Sequence, residues 1–212
     1  ILPKNIMLRI PKIKCQKKKR KAFSEMEVER MRKYASVDER LTAMVEILLS
    51  TGCRVSELVN IKINDVEENT IIVHGKGNKD RTVYLNAKAQ LAIEQYLKKR
   101  ADSNPYLFPK RINELSKLRR RKDWWIIADN VDKEKHMGCS SVEAIIRNIG
   151  REVGTEAHPH KFRRTCATMA LKKGMPLTHV SKMLGHEQIS TTQIYLDLTD
   201  EELESMHKKY VS

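Results

Sequence analysis

The stretch from His160 to Tyr195 constrains the chain most, because glycine and proline cut it into short helices whose ends must meet. Starting from Phe162, the apolar residues Phe162, Cys166, Met169 and Ala170 recur at i, i+4, i+7 and i+8, which makes one buried helical stripe. His160 and Arg163 stand three apart on the same helix, about 60° from each other on a helical wheel and off that stripe. The helix is therefore expected to pack one side into a core and turn the other toward a ligand. Gly174 is placed to end it as a C′ residue, and Pro176 to open the next element. That second helix is expected to bury Leu177, Val180, Met183 and Leu184 and to stop at Gly185, so His186 emerges at a helix end. Ser190, Thr191 and Thr192 then offer N-cap chemistry to a short turn carrying Ile194 and Tyr195. Three short helices thus gather a phenol, two histidines and an arginine.

Upstream, Ser24 followed by Glu27 has the form of a capping box opening a helix to about Tyr34. Leu41 to Leu49 is apolar almost all round, which predicts a central buried helix ending at Thr51-Gly52. Arg54 begins a helix whose buried side is Val55, Leu58, Val59 and Ile61. Glu57, three residues on, can hold the Arg54 guanidinium; the same spacing also fits a surface ion pair worth well under ~1 kcal/mol. Thr70–His74 and Arg81–Leu85 are β-type runs around the turn Gly75-Lys76-Gly77-Asn78-Lys79-Asp80. A lysine between two glycines at a hairpin tip is poorly placed for packing and well placed to reach a ligand. The spacing and following helix of a phosphate-binding loop are missing. Ala87 to Arg100 reads as an amphipathic helix, Tyr106 to Pro109 as a short buried anchor, and Ser141 to Val153 as a helix burying Val142, Ile145, Ile146 and Ile149. Asp200 to Tyr210 reads as a last helix with few large apolar residues. The fold class is mainly α with a small antiparallel β-hairpin, an α+β arrangement.

Charge says more once it is located. The net +14 divides into +9 over residues 1–21, +6 over residues 110–122 and about −1 over the remainder. Two basic runs on a balanced body suit a polyanion that spans more than one site, with Lys17, Lys18, Lys19, Arg20, Lys21, Arg119, Arg120 and Arg121 as candidate DNA contacts. A solvated tail and loop would carry the same charges. Residues 1–21, with Pro3 and Pro11, read as an extended basic interdomain linker, and residues 22–212 as one domain. The opening on Ile1 suggests a fragment of something longer. Residues 110–137 read as an insertion contacting DNA or a partner, or as a surface loop anchored by Trp124 and Trp125. No run of 18 apolar residues exists to cross a membrane. Cys15, Cys53, Cys139 and Cys166 are far apart and lack Cys-x-x-Cys spacing, which fits a reducing cytoplasm.

Five segments in order carry a resemblance: Thr51-Gly52-Cys53-Arg54-Val55-Ser56-Glu57-Leu58, Gly75-Lys76-Gly77-Asn78-Lys79-Asp80-Arg81, His160-Lys161-Phe162-Arg163, Leu184-Gly185-His186 and Thr191-Thr192-Gln193-Ile194-Tyr195. Over about residues 22–212 the chain resembles the catalytic domain of tyrosine recombinases, the phage-integrase family. The resemblance implies that fold, with an N-terminal core-binding domain absent here. It implies that Arg54 and Arg163 bind the scissile phosphate and that Glu57 supports Arg54. Lys76 would protonate the departing 5′-oxygen, with His160 a proton-transfer group and His186 a hydrogen-bond donor to the phosphate. Tyr195 would attack to leave a 3′-phosphotyrosine. It further implies double-stranded DNA with paired recombination sites as partner, and a homo-tetramer on DNA linked through residues 200–212.

The chemistry is coherent from the side chains alone. A phenol with a pKa near 10 needs nearby positive charge or a base to attack at neutral pH. Two guanidiniums supply bidentate donors to a phosphorane-like transition state. Arginine does not titrate, so the leaving oxygen needs a separate acid, and a lysine among cations fits. Lys79 is the other candidate; family position favours Lys76. His158 also neighbours Pro159, but only His160 has an arginine three residues on. A metal site of His158, His160 and Cys166 has no supporting spacing, and neither metal nor cofactor is expected. Two alternatives remain: Pro176 to Leu196 as a helix-turn-helix in a plain DNA-binding module, and a type IB topoisomerase-like enzyme using the same chemistry.

Overall fold

The computed structural model describes residues 21–75, 80–111, 131–186 and 192. The chain opens with α1 (Glu25–Ala35), capped as its sequence predicts. Ser24 Oγ accepts the Glu27 N–H at 3.2 Å and the Glu27 carboxylate accepts the Ser24 N–H at 2.7 Å. Helix α2 (Glu39–Thr51) is buried on almost every side and packs against α1 and against the helices Ala87–Lys99 and Pro159–Lys172. Gly52 ends it in the left-handed region, φ 59°. Helix α3 (Val55–Asn60) follows at once and buries Glu57, Leu58 and Val59.

Strands β1 (Thr70–His74) and β2 (Asp80–Tyr84) pair antiparallel with Thr70 opposite Tyr84 and His74 opposite Asp80. Alternation turns Ile71, Val73 and Val83 into the core. Helix α4 (Ala87–Lys99) is capped by Asn86 and lies along α2. Leu107 and Phe108 are fully buried, the anchor expected of that segment.

The 110–137 stretch gives one unexpected feature. Its described ends form a second antiparallel pair, β3 (Pro109–Arg111) with β4 (Val131–His136). Pairing starts where the anchored backbone fixes it: the Met137 N–H donates to the Phe108 carbonyl at 2.8 Å. The basic residues Arg119, Arg120 and Arg121 and the tryptophans of that stretch lie outside the described residues.

Helix α5 (Cys139–Val153) buries Val142, Ile145, Ile146 and Ile149, the four residues its periodicity selects. Helix α6 (Pro159–Lys172) and α7 (Leu177–Leu184) complete the described fold, with Gly174 at φ 89° between them. Most buried side chains form one core running from Phe23 to Phe162. Helix α7 is held by a small separate cluster of Ala167, Val180 and Leu184.

Candidate active site

Arg54 stands at the cap position of α3, with extended backbone (φ −73°, ψ 153°). Glu57 folds back toward it: Oε2 accepts the Arg54 backbone N–H at 2.7 Å and Oε1 accepts Nη1 at 2.9 Å. One carboxylate thus fixes both the backbone and the guanidinium of the same arginine. The Glu57 side chain is 2% exposed and that of Arg54 42%. A buried carboxylate holding a half-open guanidinium is not a surface pair.

Arg163 departs from its helical-wheel reading. It lies off the apolar stripe, yet it is 4% exposed. Two helix ends explain this. Carbonyls in the last turn of an α-helix lack intrahelical donors and sit at the negative end of the helix dipole. Nη1 of Arg163 donates to the Gly52 carbonyl at the end of α2 (2.7 Å), and Nη2 to the Leu184 carbonyl at the end of α7 (2.6 Å). The next carbonyl, that of Gly185, accepts Nη2 of Arg54 at 3.2 Å. Consecutive carbonyls at one helix end therefore hold both guanidiniums.

The left-handed backbone and the close approach together favour glycine at residue 52. A Cβ there would lie 2.8 Å from Cδ2 of Leu184 and 3.3 Å from Cβ of Cys166, at a φ that L side chains rarely adopt.

His186 leaves this same helix end. Its backbone N–H closes onto the Ser181 carbonyl at 3.0 Å, with Gly185 at φ 67° making the turn. Its Nδ1 lies 2.7 Å from the hydroxyl of the fully buried Thr192. Burial, then the charges of Arg163, Arg54 and Arg81, pushes its pKa down to about 4. His186 is therefore a neutral imidazole at neutral pH, with one ring N–H and one ring acceptor.

Arg81 was not among the expected site residues, although it closes the second quoted segment. From β2 its Nη2 donates to Glu57 Oε2 at 2.7 Å, and its stem lies against Gly185. An alternating strand pattern gives no sign of this, because the partner belongs to another element. Thr192 was read as a helix cap; the contact described for its hydroxyl is with His186.

The other expected residues sort themselves by place. His160 is exposed on the first turn of α6, before Arg163. His158 caps that helix, its Nδ1 accepting the Lys161 N–H at 3.2 Å. Burial raises Cys53 to about 11 and Cys166 to about 12, so neither thiol ionises at neutral pH. Among the described residues no group of His, Cys, Asp and Glu is arranged to hold a metal. Lys21 is exposed and its carbonyl accepts from Arg164 at 3.2 Å. Lys76, Lys79, Tyr195, Lys17, Lys18, Lys19, Arg20 and the segment 200–212 lie outside the described residues. What is assembled is a cluster of two guanidiniums and a neutral imidazole around one helix end.

The profile of the phage integrase family matches residues 21–202. The chain belongs to that family. It is 36% identical over 194 residues to the tyrosine recombinase XerA of Pyrococcus horikoshii, covering 89% of this chain and 61% of that relative. The crystal structure of a XerA recombinase superposes with a TM-score of 0.72 at 32% identity, covering 95% of this chain and 68% of that one. A XerH site-specific recombinase bound to a palindromic difH substrate, in a post-cleavage complex, matches with a TM-score of 0.66. It is 21% identical and covers 92% of this chain and 54% of that one, a likeness of fold alone. The mainly helical fold with small antiparallel sheets is thus that of the integrase family's catalytic domains. This family member spans 61% of its archaeal relative, about three fifths of the length.

Proposed function

We propose that this chain cuts and rejoins double-stranded DNA as the catalytic domain of a site-specific recombinase. The Tyr195 phenolate oxygen attacks the scissile phosphorus, the bond to the 5′-oxygen breaks, and a 3′-phosphotyrosine forms. The phenol proton passes toward His160, and Lys76 protonates the departing 5′-oxygen. Arg54 and Arg163 grip the non-bridging oxygens, His186 donates to the same phosphate, and Glu57 holds Arg54. In the reverse sense, a 5′-hydroxyl from the paired site attacks the phosphotyrosine and releases Tyr195. One phosphodiester is exchanged for another, so no ATP is needed.

The observation that carries this reading is the pair of consecutive carbonyls, Leu184 and Gly185, which bring Arg163 and Arg54 to one place beside His186. Plain DNA binding has no need of a buried carboxylate fixing one arginine and two helix ends fixing another. The basic charge of residues 1–21 and 110–122 suits contacts to a DNA backbone. Residues 200–212 would dock on a neighbouring copy in a cyclic tetramer on paired sites, acting on DNA in the cytoplasm.

The test uses nicked duplexes from a pool selected for binding, analysed on a denaturing gel. A covalent protein–DNA adduct with the wild-type chain and none with Tyr195→Phe supports the proposal. An adduct that persists in Tyr195→Phe, or none with wild type at any salt, refutes it. Relaxation of supercoiled plasmid without a paired site would favour a topoisomerase.

A further inference from the structure

None of the roles proposed above uses Arg81, yet it touches both supports of Arg54. Its Nη2 donates at 2.7 Å to Glu57 Oε2, the oxygen that also accepts the Arg54 backbone N–H. Its Nε and Cδ lie so close to Gly185 that a Cβ there would fall 2.6 Å and 2.9 Å from them. Gly185 is in turn the residue whose carbonyl receives Arg54 Nη2. The Nη1 of Arg81 is buried and meets no acceptor among the described residues. A buried donor left so is unfavourable, and a side chain serving packing alone gains nothing from it.

We propose that Arg81 is a positioning residue for the phosphate site, holding Glu57 in register for Arg54, seating the Gly185 turn and keeping the cluster cationic. The proposal rests on the strand-transfer reading. Arg54 and Glu57 by themselves form a pair with no net charge. With Arg81 and Arg163 there are three guanidiniums against one carboxylate. Negative charge grows on the phosphoryl oxygens in the transition state, and a clamp neutralised by its own support stabilises it less. Geometry acts in the same direction. A carboxylate gripped from two sides has one place to sit, and each guanidinium it meets then has one orientation.

The test compares Arg81→Met, Arg81→Lys, Glu57→Gln and the double variant Arg81→Met/Glu57→Gln. With nicked duplex at saturating DNA, single-turnover cleavage by Arg81→Met is expected to fall roughly tenfold or more. DNA affinity is expected to move less than about threefold, because many phosphate contacts remain. Arg81→Lys should recover part of the rate. Arg81→Met should cost clearly less when Glu57→Gln is already present, because both act through one contact. Additive losses, or a fall in affinity at unchanged rate, overturn the proposal.

A second measurement needs no catalysis. In the DNA-free protein, amide exchange at Arg54 should accelerate about tenfold in Arg81→Met while Leu48 in α2 stays protected. Unchanged exchange at Arg54 overturns the holding role, and loss of protection at both residues makes Arg81 a folding residue and overturns it too. A wild-type chain that forms no adduct refutes the strand-transfer reading, and amide exchange then decides the Arg81 contact alone.

Discussion

Arg163 and Leu184 are joined by a 2.6 Å hydrogen bond from guanidinium Nη2 to backbone carbonyl, so the catalytic arginine proposed here is also a clasp between helices. Its other bond reaches Gly52 at the end of α2. Arg54 is the looser of the two: its side chain is half open, its main partner is Glu57 from the adjoining turn, and its one bond to another helix end is the 3.2 Å contact with the Gly185 carbonyl. The two arginines should therefore fail differently. Arg163→Ala is expected to lose cleavage by about 100-fold or more and to lose stability by roughly 2–4 kcal/mol, because two buried carbonyls lose their donor. Arg54→Ala should lose cleavage comparably but less stability than Arg163→Ala, because Arg81 still pairs with the Glu57 carboxylate and the Arg54 side chain is half open. Urea melts beside single-turnover cleavage check this. Equal stability losses would contradict the clasp.

Gly52 offers a way to disturb the arginines without touching them. A Cβ there would press on Leu184, and the Leu184 backbone carries the Arg163 contact. Gly52→Ala is expected to cost about 1–3 kcal/mol and to slow cleavage at unchanged DNA affinity. Gly154→Ala is the control: φ is 75° but nothing lies within 4 Å. It should cost only backbone strain, about 1 kcal/mol, and leave the cleavage rate alone. Thermal melts and cleavage rates on both variants separate strain from displacement.

Much of this architecture could be read directly from the residues. The Ser24–Glu27 capping box, the glycine at 52 and the stripe of Val142, Ile145, Ile146 and Ile149 are local signals, and each element follows its signal. What could not be read depends on tertiary packing. Arg163 read as turned toward a ligand, off the buried stripe, because a helical wheel knows nothing of carbonyls offered by other helix ends. Arg81 read only as the start of a β-type run, and its carboxylate partner, 24 residues upstream, gives no local signal. The pairing of β3 with β4 was hidden because Val131–His136 is mostly charged and carries no strand alternation. His158 proved to be a cap, a role that Pro159 after it would have permitted as a guess.

The depressed pKa of His186 sets a pH dependence with a definite sign. Its folded value, about 4, lies below the ordinary histidine value, so the fold favours the neutral ring. Stability from this group is fully present above about pH 6.5 and is lost as pH falls toward 4. Imidazole NMR titration should find His186 neutral through pH 6 and protonating near pH 4. His74 is the internal contrast, because its hydrogen bond to Asp80 raises its pKa and its contribution is lost as pH rises. Titration of His186 near 6.5 would contradict the burial and the arginine cluster alike.

The leaving-group acid can be probed through the substrate. If Lys76 protonates the 5′-oxygen, Lys76→Ala should cut duplex DNA at least about 100-fold more slowly. A 5′-thio leaving group needs no proton and should restore most of that rate. Rescue in Lys79→Ala instead would move the role three residues along the turn.

Thr192 stands three residues before Tyr195, the proposed nucleophile, in the sequence. It is fully buried, and its hydroxyl lies 2.7 Å from Nδ1 of His186. When the hydroxyl donates to Nδ1, the ring proton is placed on Nε2, where it can serve a phosphate oxygen. Thr192→Val keeps the branched shape and removes the donor. It is expected to slow cleavage about tenfold and to shift the His186 tautomer seen in nitrogen-15 spectra, with DNA affinity unchanged. Thr192→Ser keeps the hydroxyl and should retain both the tautomer and most of the rate. A Thr192→Val protein that cuts as fast as wild type would mean that the ring orientation comes from the Gly185 turn and the arginines, not from this bond.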